Sequence, residues 1–198
     1  HGAAATFDIT AKPSKRAKRP LTVILLFKSL RLRYFPYVPH TRDSDPMTVN
    51  YQDLRARISA LCEGETDEIA LMATVAGELF HSDDRFDWTG FYRVTAPELL
   101  KIGPYQGGHG CLVIPFSRGV CGAAARTGQI QLVADVEAFP GHIACSSSTR
   151  SEIVLPVFNA AGKLLGVFDI DSDQPDAFTE DDASALQSIL ADVFSDAE

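Results

Sequence analysis

Between residues 50 and 62 apolar side chains recur every three or four positions, at Tyr51, Leu54, Ile58 and Leu61. That period lines one face of a helix. A second helix is predicted over 66–80, with Thr66 in the N-cap position and Asp67 and Glu68 in the first turn, where the helix dipole favours negative charge. The pattern then changes to that of strands. FDWTGFYRV (86–94) is rich in aromatic and β-branched residues, ELLKI (98–102) follows Pro97, and CLVIPF (111–116) follows a glycine-rich loop. GVCGAAARTG (119–128) has the small residues and closing glycine of a short helix, and IQLVADV (130–136) reads as a strand ending at the turn FPGH. IVLPVF (153–158) and KLLGVFDI (163–170) flank NAAG and predict a hairpin. From Thr179 onward a terminal helix is expected, with Thr179 as cap and Asp182 at the third helical position, an acidic relative of the capping box. Helices, strands, a short helix, strands and a helix in that order predict an α+β fold: a central, largely antiparallel sheet flanked by helices, not a doubly wound one.

The first 46 residues follow no such pattern. They are rich in Lys and Arg, interrupted by Pro13, Pro20, Pro36, Pro39 and Pro46, and Met47 is the first methionine. An organellar transit segment, a disordered tail and sequence upstream of a natural start at Met47 all fit that composition, and none bears on the fold. The expected organisation is therefore a basic, disordered or non-native extension over 1–46 and one domain over 47–198.

Charge sharpens this division. Residues 1–42 hold nine of the eighteen basic residues and only one acid, Asp8, so the remainder carries nine bases against twenty-five acids, about -16. An acidic body of that kind repels phosphate backbones, which argues against nucleic acid as a partner. The apolar run LTVILLF (21–27) is far shorter than the roughly 20 residues of a membrane helix. No small-residue cleavage site follows it, so a secretory signal is a poor fit. The expected location is the cytoplasm, or an organelle if residues 1–46 act as an address.

Four cysteines are too few for a secreted disulfide scaffold of this length. Cys62 ends an amphipathic helix and reads as a packing or surface residue. Cys111, Cys121 and Cys145 instead sit beside glycines at loop or element edges within 35 residues, which points to a shared function. His109 and His142 would complete a zinc ligand set, but the close cysteine pairs typical of zinc sites are missing. Thiol redox chemistry is the alternative: a thiolate becomes a sulfenic acid, and a second cysteine condenses with it. A thiol near its ordinary pKa of about 8.5 is only slightly ionised at neutral pH and needs help, for which His142, Arg150 and Arg118 are candidates.

Acids and aromatics supply the rest of a pocket. Asp169 and Asp171 are two apart on a strand and so share a face, and Glu152 begins the strand before it in the hairpin. Trp88 and Tyr92, four apart, share a face as well. A non-catalytic sensor of small molecules or of oxidation would also use such a pocket.

Taken together, FDWTGFYRV, IGPYQGGHGC, GVCGAAARTGQIQLVADVEAFPGHIAC, SEIVLPVF and GKLLGVFDIDS closely resemble, in order and spacing, the free methionine-(R)-sulfoxide reductases, single-domain enzymes of the GAF fold. The resemblance runs from Met47 to the end. It implies reduction of free L-methionine (R)-S-oxide to methionine through a sulfenic acid and an intramolecular disulfide recycled by thioredoxin, with no metal or cofactor. It further implies that Cys145 is the nucleophile, Cys111 the principal resolving thiol and Cys121 a third thiol able to join disulfide exchange. Glu152, Asp169 and Asp171 match the acids that contact the sulfoxide amino acid, and Trp88 and Tyr92 the aromatic wall. Ser146 departs from the family, whose members commonly carry an acid after the nucleophile. By analogy with other GAF domains, the terminal helices are expected to support a homodimer.

Overall fold

The computed structural model describes residues 49–198, so what is expected of residues 1–46 lies outside the described residues. Helix α1 (Tyr51–Leu61) begins at Asn50, whose side chain accepts from the Gln52 and Asp53 amides, and turns Leu54 and Ile58 inward. Helix α2 (Glu68–Phe80) is capped by Asp67, which accepts from the Ile69 and Ala70 amides, and not by Thr66 as the sequence predicts. The two residues are neighbours with similar capping ability, and the carboxylate wins the position.

Strands β1 (Trp88–Ala96), β2 (Leu99–Gln106) and β3 (Val113–Pro115) follow, then α3 (Gly119–Thr127), closed by Gly128 in the left-handed conformation. Strand β4 (Gln131–Val133) stops short because Asp135 caps a single 3-10 turn, Val136–Ala138, by accepting from the Glu137 amide. Strands β5 (Ser151–Phe158) and β6 (Leu164–Ser172) form the predicted hairpin. Helix α4 (Glu180–Val193) starts with the predicted capping box between Thr179 and Asp182.

The strands make one antiparallel sheet in the order β3-β2-β1-β6-β5-β4. Strand β2 runs past the predicted Ile102 through Gly103 and Pro104. Its pairing with β3 ends at Lys101, so the missing N–H of Pro104 leaves no gap on that side.

Two apolar layers cover the two faces. On one, Leu71, Val75 and Leu79 of α2 and Leu186, Ile189 and Leu190 of α4 pack on Phe91, Ile153, Leu155 and Phe168. Phe91 lies 4.5 Å from Phe168 and 5.5 Å from Phe194, centroid to centroid. Arg85 fastens the edge of this layer by pairing with Asp83 and Asp182. Those hydrogen bonds, with one from Tyr51, outweigh burial and hold the Asp182 carboxyl down to about 2. On the opposite face α3 lays Val120, Cys121 and Ala124 against Trp88, Tyr92, Val154 and Val167. This second face carries the site.

Gly90 fixes how that face is furnished. A Cβ here would lie 2.4 Å from the Trp88 ring and 2.5 Å from the Tyr105 Cβ, so only glycine lets the indole lie flat along its own strand. Gly90→Ala is expected to destabilise the protein by about 1–3 kcal/mol, as overpacking does, and to displace Trp88. Thermal unfolding checks the first effect, and quenching of the chain's single tryptophan checks the second.

Candidate active site

The register of three strands assembles the acids. Trp88 pairs with Asp171, Asp171 with Glu152, and Glu152 with Val133, so these side chains form one row across the sheet. The next row on the same face holds Gly90, Asp169 and Val154. Glu152 is thus directly opposite Asp171 and diagonal to Asp169, and the Trp88 ring lies over Gly90 in the same row as Asp169. One oxygen from each of the three acids lies within 4.8 Å of the others. A cation would fit that spacing. Burial raises all three acids above the ordinary carboxylate range and so favours their protonated forms.

A cavity of about 460 Å³ opens over these rows, a volume suited to a small molecule. Trp88 and Tyr92 form its aromatic wall, their rings 5.9 Å apart and nearly parallel. The indole is held from outside by Tyr105, at 5.5 Å, and by its Nε1, which donates to the Gly108 carbonyl. Cys121 enters from α3, and its thiol donates to Asp169 Oδ2 over 3.2 Å. Cys145 and the following Ser146, Ser147 and Ser148 line the cavity from the segment before β5. Cys145 is joined by a disulfide to Cys111, which belongs to the β2–β3 connection.

Every sequence-predicted site residue except Cys111 therefore lines one cavity, and Cys111 is bonded to a residue that does. Of the three cations considered as helpers of the thiol, only His142 reaches this wall. Arg118 and Arg150 are exposed and outside it. Cys62 is half-buried at the end of α1. With Cys111 and Cys145 bonded to each other, the zinc set considered from the sequence has lost two of its three thiolates.

The sequence reading missed Asp87 and Asp173, which also line the cavity. The Asp87 amide donates to the Asp171 carbonyl and its carboxylate accepts from the Asp173 amide, which locks the ends of β1 and β6 together. The only hint was the adjacency of Asp87 to Trp88 and of Asp173 to Asp171.

Burial dominates the electrostatics. Glu152 and Asp169 are each 5% exposed, and Glu152 Oε1 and Asp169 Oδ1 have no hydrogen-bond partner. Buried polar atoms are normally satisfied, so two open oxygens on one wall mark where a ligand atom belongs. Desolvation, reinforced by the Asp171 charge, pushes Glu152 up to about 8. Desolvation and its acidic neighbours likewise raise Asp169 and Asp171 well above the carboxylate range. Cys121 is raised by burial and by Asp169, so its thiol keeps its proton at neutral pH. His142 is lowered by burial and is neutral there.

Comparison with known proteins places this architecture. The GAF domain family model matches residues 65–193. The chain is 45% identical to protein YtsP of Bacillus subtilis, over 69% of its own length and 84% of that protein. It is 40% identical to the free methionine-R-sulfoxide reductase of Escherichia coli, over 71% of its length and 84% of the relative. The chain belongs to the free methionine-(R)-sulfoxide reductase family. Members are oxidoreductases built on the GAF fold, and the antiparallel six-stranded sheet found here is that fold. The crystal structure of the free methionine-R-sulfoxide reductase from Neisseria meningitidis in complex with its substrate superimposes with a TM-score of 0.68. It shares 40% identity, with 72% of this chain and 85% of that one covered. Among the described residues no helix is long and apolar enough to cross a membrane.

Proposed function

We propose that this reductase converts free L-methionine (R)-S-oxide to L-methionine with Cys145 as nucleophile and Glu152 as acid. The observation that carries the reading is the convergence of a bridged cysteine and two unpartnered, buried acid oxygens on one small cavity.

A sulfoxide sulfur becomes electrophilic only when its oxygen is protonated or strongly hydrogen-bonded. A carboxyl group pushed up to about 8 still holds its proton at neutral pH and can give it to that oxygen. The Cys145 thiolate attacks sulfur, the S–O bond breaks, and the oxygen leaves on Cys145 as a sulfenic acid while methionine departs. One thiolate, one sulfoxide and the proton from Glu152 balance to one sulfenic acid and one thioether. Cys111 then attacks the Cys145 sulfenic sulfur and water leaves, closing the Cys111–Cys145 disulfide. A dithiol protein such as thioredoxin reopens it. The Trp88 and Tyr92 rings suit the S-methyl group and thioether stem. Asp169 and Asp171 supply the remaining hydrogen bonds, and Cys121 is held ready as a third thiol beside them. The first turn of α3 reaches the same cavity without a side-chain cap, a setting that favours the carboxylate of a free amino acid.

The test is methionine formation from free methionine (R)-sulfoxide with thioredoxin, thioredoxin reductase and NADPH, run beside Cys111→Ser. Pre-reduced Cys111→Ser is expected to release one equivalent of methionine at the wild-type rate and then to recycle poorly. Undiminished steady-state turnover would assign the resolving role to another thiol. No methionine from the wild-type chain would remove the reading altogether.

A further inference from the structure

Each turnover leaves Glu152 as a carboxylate, and the pocket gives that charge no comfort. Glu152 lies against Asp169, which is as buried as itself, and against the half-buried Asp171, and both are acids that favour keeping their own protons. Tyr92 and Cys121 are held in their protonated forms by burial. No hydrogen bond joins Asp87, Asp173 or His109 to Glu152, although all three line the cavity. A group that touches both solvent and Glu152 would offer the proton a direct route back.

One side chain has that position. His142 Nε2 lies 3.9 Å from Glu152 Oε1, the same oxygen that has no hydrogen-bond partner. The imidazole is 20% exposed where the Glu152 side chain is 7% exposed, so it spans the step from water to the buried acid. Among the described residues, no other Lys, Arg or His nitrogen comes within 4.0 Å of any of the three acids. Its backbone is anchored, with the His142 amide donating to the Phe139 carbonyl and the neighbouring Gly141 carbonyl accepting from the Gly119 amide.

We propose that His142 is the proton conduit that returns Glu152 to its acid form between turnovers, an assignment that rests on the sulfoxide-reductase reading above. In the resting site the imidazole is neutral and its burial keeps it so. Once Glu152 has given its proton to the departing oxygen, the new carboxylate favours imidazolium beside it. His142 takes a proton from solvent, transfers it from Nε2 to Oε1, and returns to the neutral state. The proton count closes: one leaves Glu152 for the sulfenic oxygen, and one enters from water through the ring.

The discriminating experiment compares full-length wild type, His142→Ala and His142→Gln, first in single turnover of the pre-reduced protein and then in steady state with saturating thioredoxin. Because Glu152 starts each experiment protonated, both variants are expected to form the first equivalent of methionine at the wild-type rate. Their steady-state kcat is expected to fall by about 10- to 100-fold, below or at the low end of what a lost acid–base group costs. Millimolar imidazole should restore His142→Ala, and a series of methylated imidazoles should restore it in the order of their pKa values. A packing role would slow the first turnover too and would not respond to imidazole; either result overturns the proposal. Wild-type steady-state rates in both variants would also overturn it. A wild-type chain that forms no methionine would overturn both the proposal and the reading beneath it, which separates the two failures.

Discussion

Cys145→Ser is expected to lose at least about a thousandfold in methionine formation, falling to the uncatalysed background. The serine hydroxyl keeps nearly the shape of the thiol but is not ionised at neutral pH, and the attack on sulfur needs an anion. A thiolate has a second advantage, because the sulfur that attacks can accept the departing oxygen and later exchange it for a second thiol. Neither the three acids nor the aromatic wall can substitute, since on the proposed mechanism they act on oxygen and on the methyl group. Chromatographic detection of methionine, with mass spectrometry showing no internal disulfide after exposure to substrate, checks the claim. Retained turnover in this variant would move the nucleophile elsewhere, with Cys121 the next thiol on the cavity wall.

Glu152→Gln is expected to separate activity from stability. The glutamine keeps the shape and can donate a hydrogen bond, but it cannot release a proton, so kcat should fall by about 10²–10⁴. Wild-type activity should itself decline as pH rises through about 8, where Glu152 loses its proton, and the variant should lack that limb. Stability should move the other way. The folded pKa of about 8 lies above the ordinary 4.5, so the folded protein binds the extra proton. The stabilisation tied to that proton is fully present below pH 4.5, shrinks as pH rises toward 8, and is gone above it. At 1.36 kcal/mol per pKa unit, the loss by pH 9 is bounded by about 5 kcal/mol. The variant carries no such penalty, so its melting temperature should exceed that of wild type at pH 8–9 and converge with it near pH 4–5. Calorimetry across that range measures both. A wild-type Tm that does not fall relative to the variant would show that Glu152 is not a raised acid.

The elements were legible because their periodicities are strong: α1, α3, the β5–β6 hairpin and the capped α4 fall within a residue or two of where the pattern sets them. The misses are local competitions. Thr66 and Asp67 both suit an N-cap, Asp135 diverts β4 into a turn, and Gly103-Pro104 hides the last half of β2. Within the site, same-face pairs were readable from strand geometry, because Trp88 and Tyr92, and Asp169 and Asp171, are separated by even numbers. What put Trp88, Asp171 and Glu152 in one row was long-range register, which no single strand encodes. The pairing of Cys111 with Cys145 was likewise invisible to composition and spacing, and came only from the resemblance to the family. His142 was visible as a base near the thiol. Its actual neighbour, Glu152, is ten residues away on a strand whose packing the loop cannot announce.

The bridge between Cys111 and Cys145 ties the glycine-rich connection after β2 to the segment that leads into β5, and both stretches help to wall the cavity. On the proposed mechanism, each catalytic event ends with the protein stitching its own rim. A second oxidised methionine would then find no free nucleophile until an outside dithiol cut the stitch. Throughput would be metered by the supply of reducing equivalents and not by the amount of sulfoxide. If that supply failed, the molecules would accumulate in the sutured form, idle but shielded from further oxidation at the proposed attacking sulfur.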